Sequence, residues 1–501
     1  MPQPATSPLA AGRLGASALF FFAVAAAAPT VVVGFVVPAA YAGDIRFVPL
    51  VFLAAGLILL LYSVGYGAMA GTAPNAGALY TFIARGLGRP IGVGAAWLAL
   101  LSYHAIQIGL YGVAGMAAAP LLEGWFGVTA DWWMVAGGCW FAVALCGLLR
   151  ADLAGGLLAV IVLAEIAVIL GFAAADVFEP APGGITWNTL VPGDPAALDR
   201  PALGLLLVVA TFAFVGFETT AAYAEEAARP RRSIPRATAV ALLAMAVLYA
   251  AFAWATSVAT GPDVVAARSA GRGTELIFDL AADRLAPWAV TLGRLLLLTG
   301  LLAAMISLHH TIARYLFALS RERVLFRLLR RTAGRVPLVA SVTQSLVAIA
   351  ALAGVYAAGW DPLTQTFRLL TTVGALGVLV LLFASSMAAL LFLNRVPGDA
   401  STWQRFAAPA PASVLLGVLV YLAFANLPAL LDVPSGHVLT YGVPGAFAVA
   451  VLFGISYAYV MKAVSPITYA GLGLGGSAVV VTPAVPKPRE PGAHRPERII
   501  R

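Results

Sequence analysis

The chain has 501 residues, of which 61% are hydrophobic and 10% are charged, and its net charge is +8. Soluble globular domains carry about 25% charged residues, so this composition excludes a soluble globular protein and indicates a polytopic membrane protein. The basic residues do not indicate nucleic-acid binding, because they lie in short loops between apolar runs and in the C-terminal tail.

We predict an all-α protein with about twelve transmembrane helices, since a spanning helix needs roughly 20 mainly apolar residues. The predicted spans are residues 17–40, 48–70, 91–118, 132–149, 154–176, 202–224, 237–259, 288–318, 338–358, 367–393, 411–431 and 440–462. If the N-terminus is cytoplasmic, 22 of the 30 lysine and arginine residues face the cytoplasm and six face outside, while Arg294 and Arg314 lie within a span. This bias predicts an even number of spans with both termini cytoplasmic.

The first span contains a proline close to the middle of the membrane. Pro29 has no amide hydrogen to donate within a helix, and it follows a run of four alanines. We therefore predict a broken helix, which exposes N–H groups and helix ends that can bind the carboxylate and ammonium of a zwitterion. Ala28, Pro29, Thr30 and Val31 are the predicted substrate-binding residues, although Pro29 alone is also compatible with a simple kink.

The polar side chains of the third span include Tyr103, His104 and Gln107. His104 and Gln107 are three residues apart and therefore neighbours on one helix face, so we predict that they line the substrate cavity. The alternative is that each makes an ordinary hydrogen bond between helices. The two histidines of the eighth span present the same choice, and neither cluster has the spacing of metal ligands.

Glu165 lies close to the midpoint of the fifth span. An ionisable residue in the hydrocarbon is costly and marks a functional site by default. Removal from water favours the neutral form of a carboxyl group, so such a residue can take up and release protons. We predict that Glu165 is a site of proton coupling. The alternative is a structural glutamate bonded to Arg294, His309 or His310.

The sixth span combines a second predicted break with an intramembrane glutamate. Gly216 lies at a depth comparable with the first break and is approached from the opposite side of the membrane. We predict that Gly216 belongs to the substrate site and that Phe212 and Phe214 cover the substrate side chain. Glu218 is predicted to act as a gate or proton sensor, and the alternative is that it holds the broken helix together. A basic, proline-punctuated loop follows at residues 229–235.

Breaks at corresponding places in two inverted halves are the best sequence indication of a transporter's substrate site. The predicted segments are a cytoplasmic tail at 1–16, a first unit of five spans at 17–176, an extracellular loop at 177–201, a second unit at 202–394, two added helices within 395–462 and a basic, proline-rich cytoplasmic tail at 463–501. We expect this last tail to be disordered. The sequence has no phosphate-binding glycine loop, which argues against ATP-driven transport.

Residues 212–235 resemble the sixth-helix motif of amino acid permeases in the amino acid, polyamine and organocation superfamily. In both, a glycine, a bulky residue and a glutamate precede a second glutamate, a proline, basic residues and an isoleucine–proline pair. Residues 65–80 and 314–337 are similar to the second helix of the family and to its loop after the eighth helix. The resemblance covers residues 17–460 and implies a five-plus-five inverted repeat with broken first and sixth helices and two added helices. The alanines before Pro29 depart from the glycines usual in the family.

These features predict a secondary active amino acid transporter, or permease, that works by alternating access and takes up its substrate with a proton. We expect it in the plasma membrane of a bacterium, with the amino acid, the coupling proton and membrane lipids as partners. No enzymatic activity, cofactor, metal or nucleic-acid partner is expected. The alternatives are a polyamine or organocation carrier, an amino acid exchanger and, from another class, a membrane-embedded enzyme or sensor.

Overall fold

The computed structural model describes residues 9, 12–43, 45–72, 75–191, 200–396 and 398–474. Within these ranges the chain is almost entirely helical and contains no strand. Eleven of the described helices are long and apolar enough to cross a membrane. The predicted all-α polytopic membrane protein is therefore confirmed.

Each of the twelve predicted spans corresponds to a helix in the described part of the chain, and we number these helices α1–α12. Their bounds are Ala16–Ala42, Val48–Thr72, Arg89–Phe126, Trp132–Cys146, Ala151–Phe178, Arg200–Tyr223, Pro230–Thr260, Pro287–Arg321, Leu338–Ala357, Pro362–Arg395, Trp403–Ala425 and Val438–Val464. Two of them, α1 and α6, are interrupted, and their breaks are described below.

The fourth helix is shorter than predicted. It has 15 residues and ends at Cys146 rather than at residue 149, so it falls short of the roughly 20 residues that span a bilayer. Gly147 begins a turn, and its carbonyl accepts a hydrogen bond from Ser341 Oγ at 2.8 Å. A tertiary contact with α9 therefore accompanies the end of this helix.

In the described part of the chain, four further α-helices lie outside the predicted spans: Ala78–Gly86, Val265–Arg272, Leu276–Arg284 and Pro466–Ala470. The first, which we call the loop helix, connects α2 to α3. The last corrects the expectation of a disordered tail, because residues 466–470 are helical and Leu472 is 2% exposed. Contacts with the rest of the protein order this segment, and composition alone does not reveal such contacts. Residues 475–501 of the predicted tail lie outside the described residues.

The helices pack in pairs that relate the two predicted units. The second helix of each unit packs against the other, as α2 with α7. The third helix of one unit packs against the fifth of the other, as α3 with α10 and α5 with α8. Two related units of opposite topology would give this arrangement. The predicted boundaries of the units stay a prediction.

Residues 12–15 and 466–474 lie at the same face of the bundle, which we call the terminal face. Leu14 pairs with Ala227 in the loop between α6 and α7, and Gly473 bonds to Glu322 at the end of α8. An ion pair between Glu225 and Arg321 connects that loop with the end of α8. The terminal face therefore brings together both described ends of the chain and two of its loops.

Candidate functional site

The first helix is broken at Ala28. This residue has φ 50° and ψ 68°, a left-handed conformation that an L-residue adopts rarely, and it separates a helix over Ala16–Ala27 from a new helix that begins at Pro29. A residue before proline avoids the α-helical region, which explains why the break falls at this position. Ala28, Pro29, Thr30 and Val31 are all buried. The structure therefore has a broken helix here, rather than a simple kink.

The second break faces the first. Regular helix in α6 ends at Phe212, and a 3₁₀-helix begins at Phe217. Between them, Gly216 has φ 125°, and a Cβ atom at this position would lie 2.6 Å from the carbonyl carbon of Ala26 and 2.7 Å from the nitrogen of Ala27. The backbones of the two breaks are thus in direct contact, and glycine is required for both the conformation and the close approach.

Glu218 caps the second break. Its Oε2 accepts a hydrogen bond from the Gly216 N–H at 2.8 Å, and its Oε1 accepts one from the Tyr103 hydroxyl at 3.0 Å. Its main-chain carbonyl accepts a third from the Tyr66 hydroxyl at 2.6 Å. The side chain is fully buried. Glu218 therefore stabilises unwound backbone and also connects it to α3.

Glu165 lies beside the first break. Its Oε1 accepts a hydrogen bond from Thr30 Oγ1 at 3.5 Å, a long distance for this bond, and its Oε2 has no hydrogen-bond partner among the described residues. The carboxyl group packs directly on Gly300 of α8, where a Cβ atom would collide with it. Glu165 is fully buried. The arrangement leaves one oxygen of a buried carboxyl group without a donor.

The three partners considered for Glu165 are engaged elsewhere. Arg294 pairs with Glu275, with Nη2 and Oε2 2.5 Å apart. His309 Nε2 lies 2.9 Å from Ser341 Oγ, and His310 Nδ1 lies 3.2 Å from a guanidinium nitrogen of Arg314. The hydrogen bond that Glu165 does make is to the first break.

A small apolar cavity begins at Thr30. Its volume is about 20 Å³, close to the minimum that holds one water molecule and far too small for an amino acid. Its walls come from α1, α5, α7, α8 and the helix Leu276–Arg284, and they consist of Thr30, Val33, Val168, Ile169, Phe172, Phe252, Ile277, Phe278, Gly293 and Leu297. In the conformation described here, this cavity therefore leaves no room for an amino acid beside the first break.

The hydrogen bonds that the structure shows for His104 and Gln107 join them to α3, α8 and α9 rather than to the two breaks. Gln107 Nε2 donates to the Met305 carbonyl at 3.2 Å, and its Oε1 accepts from Gln344 Nε2, so this side chain faces α8 and α9. His104 Nδ1 lies 2.6 Å from the Leu100 carbonyl of its own helix. The neighbouring Tyr103 donates a hydrogen bond to Glu218, and this bond connects α3 to the second break.

The two predicted aromatic residues differ in their surroundings. Phe214 is buried, and its ring packs against Tyr249 with centroids 5.5 Å apart, between α2 and α7. Phe212 is partly exposed at the end of the regular helix. The structure therefore brings together the first break, Gly216, Glu165 and Glu218, and it sets Phe214 into helix packing.

Two residues, Gly300 and Tyr66, could not be assigned to the site from the sequence. Gly300 is one glycine among 50, and its contact with Glu165 depends on how α5 and α8 pack. Tyr66 accepts a hydrogen bond from Ala221 N–H at 2.9 Å besides donating to the Glu218 carbonyl. Tyr66 lies on α2 and binds unwound backbone of α6, so its role can be recognised only when the positions of both helices are known.

A buried ion pair closes the region between the second break and the terminal face. Arg314 Nε lies 2.6 Å from Glu226 Oε2, and Arg314 Nη2 lies 3.0 Å from Oε1, a bidentate arrangement. The guanidinium carbon lies 4.3 Å from the ring centroid of Tyr223. The carbonyl of Glu226 accepts hydrogen bonds from the amides of Arg13 and Leu14, each at 3.0 Å. Both charged residues are 1% exposed.

A comparison with family models matches residues 19–434 to the family described as amino acid permease. The match includes both breaks, Glu165, Glu218 and the buried ion pair. No curated protein matches the chain. In the described part of the chain, no group of three or more His, Cys, Asp or Glu side chains is placed to hold a metal ion.

Proposed function

Because the chain belongs to the amino acid permease family, we propose that it is a secondary active amino acid transporter that works by alternating access and is driven by protons. The observation that carries the proton coupling is the position of Glu165, a fully buried glutamate bonded to Thr30 at the first break, with one oxygen unpartnered. An amino acid exchanger and a polyamine or organocation carrier remain the alternative functions.

The breaks offer both kinds of group that a zwitterion needs. At the start of the helix that begins at Pro29, the Thr30 N–H and the positive end of the helix dipole suit a carboxylate, while the amides of Val31 and Val32 donate to the Ala28 carbonyl. The helix that ends at Ala27 presents carbonyl groups and the negative end of its dipole, which suit an ammonium group. We propose that Ala28, Pro29, Thr30 and Val31, together with Gly216, form the substrate site.

The surroundings of Glu165 link its charge to the conformation of the protein. In the conformation described here, an ionised Glu165 would have a single long hydrogen bond in apolar surroundings, and burying a charge without partners is strongly unfavourable. We propose that Glu165 is neutral while the site is enclosed and releases its proton after water enters. Glu165 then releases its proton only when the site opens, and this dependence couples the proton to the conformational change.

We also propose that the terminal face is cytoplasmic and that the protein resides in the plasma membrane. The predicted loops on the side of the N-terminus contain most of the lysine and arginine residues of the chain. Positively charged loops favour the cytoplasmic side of a membrane. Labelling of single cysteines placed in these loops, from each side of intact cells, would test this orientation.

Glu165→Gln tests the proton coupling. The amide cannot ionise and resembles the protonated side chain, so we expect the variant to keep substrate binding and exchange but to lose accumulation driven by an inward proton gradient. The measurement is uptake of labelled amino acid into proteoliposomes under an imposed pH gradient or an imposed sodium gradient, one at a time.

The same measurement separates the alternatives. Counterflow in preloaded vesicles, measured for the wild type and the variant, serves as the control for folding and binding. Uptake by the wild type only in preloaded vesicles would indicate an exchanger, and transport of labelled polyamines instead of amino acids would indicate a carrier of organic cations. Accumulation driven by pH that survives unchanged in Glu165→Gln would refute the proposed role of Glu165.

A further inference from the structure

The terminal face carries a groove between the loop helix and the end of α8, and residues 466–474 occupy it. Leu472 is buried in this groove at 2% exposure. At its rim, Arg89 Nη2 donates to the Ala470 carbonyl at 2.9 Å, and Arg323 Nη1 donates to Thr468 Oγ1 at 3.3 Å. The segment is therefore bonded to the start of α3 and to the residues that follow α8.

Gly473 makes the most specific contacts of this segment. Its N–H lies 2.8 Å from Glu322 Oε2 and 3.2 Å from the Tyr80 hydroxyl, and its carbonyl accepts a hydrogen bond from Arg85 Nε at 3.0 Å. Its φ is +76°, and a Cβ atom at this position would lie 2.9 Å from the Cβ of Ala84. The groove therefore requires glycine here, for conformation and for space.

Glu322 joins the segment to the loop helix. It is 7% exposed, and its carboxylate also accepts hydrogen bonds from the Tyr80 hydroxyl and, at 3.1 Å, from Asn75 Nδ2. Burial and, after it, the charge of Glu322 raise the pKa of Tyr80 well above its usual value. Tyr80 therefore remains a hydroxyl donor throughout the physiological pH range.

The loop helix is in turn bonded to the elements around the second break. The Leu79 N–H donates to the Tyr315 hydroxyl of α8 at 3.2 Å, and the N–H of Ala76, just before the loop helix, donates to Glu225 Oε1 at 3.1 Å. The ring of Tyr315 lies 5.7 Å from that of Tyr103, the residue that bonds to Glu218. A contiguous set of contacts thus runs from the groove to the second break.

We propose that this groove is a binding surface for the chain's own residues 466–474, and that their binding keeps the terminal face closed. The inference rests on the alternating access proposed above. Opening this face would separate the loop helix from α8, and the segment bonds to both through Arg85 and Glu322. A group that binds one of two conformations shifts the equilibrium toward that conformation. Weakening the segment should therefore favour the open state.

The test uses the full chain with Ala224→Cys as a reporter. Ala224 follows the 3₁₀-helix of α6 and is 3% exposed, and serine replaces Cys139 and Cys146 so that the reporter is the sole thiol. Gly473→Ala is expected to raise the rate of maleimide labelling in purified protein severalfold. Gly471→Ala is the matched control, because its φ of −84° suits any residue, and it should leave the rate unchanged.

Arg85→Gln provides a second route to the same result. It removes the donor to the Gly473 carbonyl without changing the backbone of the segment, and it should also raise the labelling rate. Unchanged rates in both variants, or an equal rise in Gly471→Ala, would overturn the proposal. Labelling requires no substrate and no ion gradient, so its outcome is separate from that of the uptake experiments on Glu165.

Discussion

Gly300 is the residue that makes room for Glu165. A Cβ atom there would collide with the Glu165 carboxyl group and lie 2.6 Å from Thr30 Oγ1. We expect Gly300→Ala to displace the carboxyl group and reduce proton-driven accumulation by about tenfold, equivalent to roughly 1.4 kcal/mol. Uptake into proteoliposomes under a pH gradient measures this. Gly354→Ala in α9 is the control, since nothing lies within 4 Å of its Cβ position, and equal accumulation by both variants would contradict the expectation.

Glu218 is the second residue whose role can be tested, and we propose that it controls opening. Glu218→Gln places an amide against two donors, the Gly216 N–H and the Tyr103 hydroxyl, so at least one hydrogen bond changes. We expect the transport rate to fall more than the affinity measured in equilibrium binding of labelled substrate. Tyr103→Phe removes one donor and should have a smaller effect. Equal losses of rate and affinity would indicate a role in binding or folding instead.

At the residue scale, the sequence was most informative about ionisable residues within apolar spans. A charge within an apolar span is uncommon enough to identify Glu165 and Glu218 without a structure. Their partners could not be predicted, because Thr30, Gly300 and Tyr103 reach them across helix contacts that periodicity does not specify. Neighbouring residues on one helix also differ in direction, so Tyr103 reaches the second break while Gln107 faces α8 and α9.

At the scale of helices, the contact between the two breaks is the main constraint. Gly216→Ala would place a methyl group against the backbone of Ala26 and Ala27 in a conformation unfavourable to alanine, a strain of about 1–3 kcal/mol. We expect a lower thermal unfolding temperature and a weaker apparent affinity for substrate. Pro29→Ala removes the cause of the first break, so it should raise the KM for uptake. It adds no atoms to the contact with Gly216, so it should cause little loss of stability. A Gly216→Ala protein with wild-type stability and KM would refute this expectation.

Both breaks were predictable because their causes are local. A proline in the first span and a glycine in the sixth are incompatible with, or unfavourable to, continuous helix. The end of α4 and the ordered segment at 466–474 were not predictable in this way. Their causes are contacts from distant parts of the chain, such as the hydrogen bond from Ser341 to the Gly147 carbonyl.

For the molecule as a whole, the buried pair of Glu226 and Arg314 joins α8 to the segment after the second break. Removing one partner of a buried ion pair costs about 3–5 kcal/mol, because the other charge is left unpaired. We therefore expect Glu226→Gln to destabilise the protein strongly, and the double variant with Arg314→Gln to recover part of the loss. Thermal unfolding in detergent measures both. A double variant less stable than either single variant would contradict this explanation.

The architecture was predictable from the sequence at the level of helix number and fold class, because hydrophobic length alone decides which segments can span a membrane. The side-by-side packing of α2 with α7, and the small size of the cavity beside Thr30, depend on side-chain shapes at many positions. No single residue predicts them.

The contact of Gly216 with Ala26 and Ala27 also has a consequence for evolution. Because there is no room for a Cβ atom at Gly216, a larger residue at this position is tolerable only if the backbone of Ala26 and Ala27 moves. Homologous sequences should therefore vary together at positions 26, 27 and 216, with small residues kept on both sides or changed on both. Paired change at these positions would indicate, from sequences alone, that the two breaks have stayed in contact during evolution.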